Sequence, residues 1–466
     1  LATDPTVTEG ARRGVDGVRL STLTRRRLAT TIAGLATPVV LGQLSQTLMG
    51  LVDTLMVGRL GESQLAAVAV ATLLFSALAM TIKAVDVAAQ TFTARRVGEQ
   101  RDTEVGAVLT TAVTVCLGAG SVLMVVGLRW PGALMSLATL DPSVHEMGRQ
   151  YLVYRYAGML PLLFFFQAKA VFDGIGWTRI GMGVGIGMNV VNALLNWVFI
   201  FGKWGAPALG VGGAALASTI SAGLAAVVIA GFLLHGPTRR RFRLVCRTNF
   251  KRALIRPFLK LAWPPAVQTF GIVIALVAFN YLLGLVGTLA VATGNVVLRI
   301  ASLSFMPGVG VGAAVQTLVG QSLGRADPRG ARRAALGGVA LSVAFMGLFG
   351  VFFLATPAFF LRLFSGSEAL IAAGTPILRL MGLVQVIDAV GLTLSGALRG
   401  AGLTREVMLV DVATGLVLLP PLTYLFAIVM AGGLMGAWLA LLTWFTLYAV
   451  GMVWVFARCD WKEVRI

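Results

Sequence analysis

Position 53 is an aspartate inside an apolar run that begins at Ile32. A carboxylate at the centre of a membrane helix costs on the order of 2.5–3.5 kcal/mol, and less toward the ends, so acids kept there usually face a cavity and work. Two kinds of chemistry suit it: uptake and release of a proton, or ligation of a small cation. Asn192 and Asn196 stand four apart and share one helix face. Their amide oxygens can accept a hydrogen bond from a protonated carboxyl or ligate Na+ together with it. The alternative for Asp53 is an interfacial acid paired with Arg59. Gln46, two turns before Asp53, can pack against Ser45 and neighbouring asparagines. Asp388, eleven residues before Arg399, is a second acid well inside an apolar segment, with Arg379 or Arg299 as candidate ion-pair partners. Three further acids have bases near them in sequence: Asp86 with Lys83, Asp173 with Lys169, and Asp411 with Arg405. Lys83 and Asp86 read as a local pair or a substrate contact, Lys169 and Asp173 as an interfacial pair.

Other chemistries lack their residues. The chain has two histidines, His145 and His235, in or near loops, which leaves no triad or His-based metal cluster. "GQSLG" at 320–324 fits G-x-S-x-G but ends an apolar helix instead of joining a strand to a helix. "GMGVGIG" at 181–187 reads as a helix-packing run. No P-loop occurs, so energy must come from an ion gradient, and neither an enzyme nor a bound cofactor is expected. Cys116, Cys246 and Cys459 are not placed for a disulfide.

These residues sit in a chain that is almost all membrane. Of 466 residues 57% are hydrophobic and 12% charged, with 56 glycines, and the mean hydropathy is +0.87. Windows of about 20 apolar residues, enough to cross about 30 Å of hydrocarbon, recur twelve times from 32–58 to 433–457. The fold class is an all-helical integral membrane protein of twelve spans. The net charge of +19 follows a membrane rule. With the N-terminus cytoplasmic, 28 of the 38 Lys and Arg fall on the inner side and five on the outer, Arg59, Arg129, Arg149, Lys203 and Arg362, the remainder lying within spans. Both termini are then inside. The run "RRRFRLVCRTNFKR" reads as a loop against anionic lipid, not as a nucleic-acid site. The expected organisation is a cytoplasmic segment 1–31, a first lobe 32–235, a cytoplasmic linker 236–257, a second lobe 258–457 and a cytoplasmic tail 458–466. The first apolar run reads as a retained helix rather than a cleaved signal.

An internal repeat relates the lobes. "LATP" returns as "LAWP", "AAQTFTARRVG" as "AVQTLVGQSLG", and "DGIGWTR" as "RGAGLTR", so that Pro38 and Pro264, Gln90 and Gln316, and Gly174 and Gly400 share the offset 226. In the last span of each lobe, "GAALA" and "GAWLA" are offset by 223. Six spans per unit give a parallel repeat, an arrangement in which transporters bind cargo between two rocking halves.

"PVVLGQLSQTLMGLVDTLMVGRLG", "NVVNALLNWVFIFG", "SLSFMPGVGVGAAVQTLVGQSLG" and "DAVGLTLSGALRGAGLT" together resemble segments of the multidrug and toxic compound extrusion (MATE) antiporters, with the DinF-type branch as one placement. The resemblance covers about residues 25 to 458. It implies a V-shaped protein of two six-helix lobes, a plasma or inner-membrane antiporter that exports amphipathic organic compounds, cationic ones above all, against H+ or Na+. Small molecules and membrane lipids are its partners, and it acts as a monomer. It also implies that Asp53 is the coupling acid, with Gln46 lining the cavity, Asp388 a second-lobe acid for cations or cationic substrates, and Pro38 the point where the first helix bends. Some family members carry Asp where this chain has Asn196, and span 7 lacks a glutamate that sodium-coupled relatives carry. A lipid-linked substrate flippase of the same broad superfamily is the alternative, but such a protein should line its cavity with several cations, and spans 1 and 7 have none there.

Overall fold

The computed structural model describes residues 19–139, 141–244, 246–462 and 464. Of the expected cytoplasmic ends, residues 1–18 of the N-terminal segment and 463, 465 and 466 of the tail lie outside the described residues. The remainder is helical, with no strand among the described residues. In chain order the helices are α1 Arg25–Gly58, α2 Glu62–Lys83, α3 Asp86–Gly98, α4 Val105–Arg129, α5 Pro131–Ser136, α6 Pro142–Ala157, α7 Met159–Ile175, α8 Thr178–Phe201, α9 Gly210–Leu234 and α10 Gly236–Phe242. They continue with α11 Arg252–Val286, α12 Thr288–Gly324, α13 Pro328–Ala355, α14 Pro357–Arg362, α15 Glu368–Ala401, α16 Thr404–Asp411, α17 Leu419–Tyr424 and α18 Gly433–Arg458. Among the described residues eleven helical runs are long and apolar enough to cross a membrane, and α6 with α7, bent by 48°, makes a twelfth. The single fourth span expected from the sequence is thus a broken one, interrupted at Gly158.

These helices carry apolar side chains on faces that no protein covers: Leu48, Val122 and Val227 are 58%, 64% and 71% exposed. Apolar surface on this scale is stable only with lipid as solvent, where helices satisfy their backbone groups internally. Their ends are set by local chemistry. Pro131, Pro142, Pro328 and Pro357 stand in the first turn, where the missing N–H costs nothing. Asp141 caps α6 by accepting from Ser143 N at 2.8 Å, and the hydrogen bonds to Ser143 and Val144 hold its carboxyl below the usual range.

The repeat holds at the level of the backbone. Gly176 and Gly402, 226 apart, end α7 and α15 in the left-handed region, each with φ 98°, a conformation that favours glycine. Trp130 and Thr356 break the chain at the same offset with φ −129° and −132°, while Asp141 and Ser367 cap equivalent helices. Prolines lie inside several long helices: Pro38 in α1, Pro257, Pro264 and Pro265 in α11, Pro307 in α12 and Pro376 in α15. The eleventh span carries two more in α17. Loss of their amide donors is matched by π-helical turns on either side, Val412–Leu418 and Leu425–Val429.

By contacts the chain divides into two compact units, Leu41–Ala266 and Leu1–Val40 with Val267–Ile466. The division falls within α1 and within α11. In the second unit, residues 20–40 are built into the packing. Arg333 donates to the carbonyls of Leu20 at 3.2 Å, of Leu23 at 2.5 Å and of Ser21, and Asp327 accepts from Ser21 N at 3.2 Å. Beside Pro38, α12 presents Gly310 to the α1 backbone so closely that a Cβ would stand 3.1 Å from Val40 N and 3.3 Å from Ala36 O.

Candidate functional site

In the Leu41–Ala266 unit, α1 places Asp53 against one face of α8. Asn196 donates its amide N–H to Asp53 Oδ1. The same nitrogen lies 3.4 Å from Asn192 Oδ1, and Asn192 donates to Ser218 Oγ of α9 at 3.2 Å. One face of α8 therefore carries a line of amides, continued by Asn189, which donates to Ser45 at 2.8 Å. Asn192 and Asn196 are buried, and Asn196 Oδ1 has no hydrogen-bond partner among the described residues. A buried acceptor left unmade costs about 1–3 kcal/mol, so this oxygen beside a carboxylate favours a proton or a small cation. Arg59 is exposed and forms no ion pair with Asp53 among the described residues. The basic group within electrostatic reach of Asp53 is Arg155 of α6, whose guanidinium lies 4.4 Å from the Phe75 ring centroid. Arg155 stands 102 positions from Asp53 and no local spacing links them, so sequence reasoning missed it. Gln46 is exposed and makes no side-chain hydrogen bond among the described residues.

The same unit holds a charged cluster. Lys83 and Asp86 form the expected pair at 2.8 Å, at the break between α2 and α3, with Lys83 Nζ 4.7 Å over the Phe166 ring. Lys169 and Asp173 pair at 2.5 Å, but Asp173 is 4% exposed: the pair is interior, not interfacial, because Lys169 lies along Gly181 of α8. The two pairs interact electrostatically, with Gln167 and Cys116 bonded beside them at 3.3 Å. Cys116, Cys246 and Cys459 are free thiols.

In the other unit, Asp388 is buried on α15 with no hydrogen bond among the described residues, and Arg379 and Arg299 are exposed and do not pair with it. Its charged neighbour is Asp411, which does not pair with Arg405. Asp411 Oδ2 instead accepts from Gln268 Nε2 of α11 at 2.5 Å, and Gln268 Oε1 accepts from Arg399 at 2.9 Å. Asp388, Ser395 and Arg399 recur along one face of α15. Tyr448 of α18 is hydrogen-bonded to Ser395 there. No group of three or more His, Cys, Asp and Glu suited to a metal occurs among the described residues.

A family model described as MatE matches residues 38–198 and 264–425. The multidrug resistance protein NorM of Burkholderia vietnamiensis is 30% identical over 442 residues, covering 92% of this chain and 94% of that protein. Among solved structures, a MATE crystallised in complex with MaL6 superposes with a TM-score of 0.88 at 22% identity, over 97% of this chain and 100% of that one. An outward-facing MATE family transporter of the MOP superfamily gives 0.87 at 21% identity, over the same shares. At that identity the structures speak for the fold alone.

Proposed function

The chain belongs to the MatE family, and from that premise we propose that it exports amphipathic organic cations in exchange for H+ or Na+ taken up at Asp53. It is a multi-pass membrane transporter for small molecules, coupled to an ion, and not an enzyme. The relatives reported above do not specifically support the DinF-type branch. One observation carries the coupling role: a carboxylate inside a membrane helix is bonded to a side-chain amide, and the buried oxygen of that amide has no donor among the described residues. A proton on Asp53, or Na+ between the two groups, supplies the positive charge that both oxygens lack. A bare carboxylate resists enclosure in a medium of low dielectric. The carrier thus closes around Asp53 readily once the ion is bound, and a departing cationic cargo and an entering ion exchange places energetically. Asn192 and Ser218 hold Asn196 in register, Gln46 faces the cargo path, and Pro38 lets α1 bend. Asp388, buried without a donor among the described residues, favours a cation on the second side. One chain supplies both repeats, so a monomer suffices.

The Lys and Arg asymmetry supports placing both termini in the cytoplasm of a bacterial-type inner membrane. In a cysteine-free background, cysteines at the exposed positions Ser143 and Ser367 label from outside and one at Arg240 does not; the reverse pattern inverts the topology. The decisive assay uses purified protein in liposomes with proton and sodium gradients imposed separately. Wild type accumulates a cationic dye under one of them and Asp53→Asn under neither. Transport by wild type under neither gradient rejects the function, and full transport by Asp53→Asn rejects the site.

A further inference from the structure

Gln268 bridges two charges through a relay of fixed polarity. Arg399 N–H donates to its Oε1, and its own Nε2–H donates to Asp411 Oδ2. Turning the amide over would face its N–H groups toward a guanidinium that can only donate, so the orientation is locked by Arg399. The relay is strongest when Asp411 is an anion, since hydrogen bonds to charged acceptors are roughly twice as strong as neutral ones. Gln268 and Asp411 are 5% and 4% exposed, which shields the relay from competing water.

Its position adds to this. Gln268 lies three residues after Pro265 on α11, where Pro264 and Pro265 remove two consecutive amide donors from the helix ladder. Its side chain ties this weakened turn to α15 and α16. The groups facing Asp411 are Gln268 from α11, Arg399 and Asp388 from α15, and Tyr448 from α18. Asp388 adds a second negative charge near Asp411, against which Arg399 supplies the positive charge. The two acids therefore compete for limited compensation, and cation uptake by one relieves the other.

We propose that Asp411 is a second ion-responsive carboxylate and that Gln268 is its positioning residue, which holds α11 while Asp411 is charged and releases it when Asp411 takes a proton. The idea rests on the antiport reading above, but its test does not need cargo. A nitroxide at the exposed Phe270, in full-length cysteine-free protein in liposomes, reports α11 mobility as pH is varied. Wild type shows a pH-dependent mobility change. Asp411→Asn removes the pH dependence, and Asp388→Asn displaces its midpoint without abolishing it. Gln268→Leu removes the donor to the anion, so Asp411 accepts its proton more readily and the midpoint moves upward by about one pH unit, equivalent to one lost charge-assisted bond. Gln268→Asn, one methylene shorter but still an amide donor, restores part of that displacement. A pH dependence that survives Asp411→Asn, an unmoved midpoint in Gln268→Leu, or no pH dependence in wild type overturns the proposal. Should Asp411→Asn fail to fold, the Gln268→Leu midpoint decides alone. Ion-driven dye transport in the same liposomes separates this failure from failure of the antiport reading, which would show as no wild-type transport.

Discussion

The Asp53 site and the Asp388–Asp411 site occupy two copies of one backbone pattern and each sets a carboxylate against a side-chain amide, yet they build it from positions that do not correspond. At the position equivalent to Asp53 the second repeat has Phe279, fully buried and edge-on to Trp438 with ring centroids 6.2 Å apart. The equivalents of Asn192 and Asn196 are Leu418 and Leu422, and that of Ser218 is Leu441. Conversely Asp388, Asp411 and Gln268 correspond to Leu162, Gly185 and Gly42. The charged cluster also lacks a copy: Lys83 and Asp86 correspond to Val309 and Gly312, and Gly312 lets α12 lie against the Leu392 carbonyl, where a Cβ would stand at 3.0 Å. The repeat thus conserves where helices start, break and cap, which depends on backbone geometry. It leaves each unit free to place its own polar groups, since a polar group in a membrane core needs partners from its own neighbours and not from a symmetry mate.

The contrast can be broken most sharply at the two acids. Asp53→Asn, which keeps the shape and removes the titrating group, should abolish uphill export of every cargo. Asp388→Asn should lower export of cationic dyes roughly tenfold, ~1.4 kcal/mol, while neutral compounds change little. Dye accumulation in liposomes for cationic and neutral cargo side by side measures both, and equal losses in the Asp388 variant would erase the functional difference between the units.

A smaller effect tests the packing side of the comparison. Gly310→Leu forces a side chain into the α1 backbone beside Pro38, where the second unit has no room; a destabilisation of about 1–3 kcal/mol is expected, read as a fall in melting temperature in detergent. An unchanged melting temperature would mean that residues 20–40 are not held as described. Smaller still is the Lys83–Asp86 pair, whose side chains are 27% and 21% exposed. Lys83→Met alone should destabilise by about 1 kcal/mol, discounted for its exposure. The double variant Lys83→Met with Asp86→Leu should recover most of it, because no unpaired charge remains. Additive losses would show that the pair does not act as a unit.

What could be read without a structure is what depends on neighbours along the chain. Spans follow from apolar runs, breaks and caps from Pro, Gly and Asp at fixed places, and the repeat from matches at one offset. The Lys83–Asp86 and Lys169–Asp173 pairs lie within one helical turn or so, where spacing alone brings them together. Asn192 and Asn196 could be put on one helix face by the same rule, and the resemblance brought Asp53 to them. Tertiary structure alone decided the rest. Asp411 and Gln268 are 143 residues apart and Asp53 and Arg155 are 102 apart, and no periodicity says which helices meet or at what depth. Local spacing favoured Arg59 for Asp53, Arg405 for Asp411 and Arg379 for Asp388, and packing rejected all three. Long basic side chains near helix ends remain exposed, where water or lipid headgroups solvate them at lower cost, while a buried carboxylate takes whichever donor the facing helix presents.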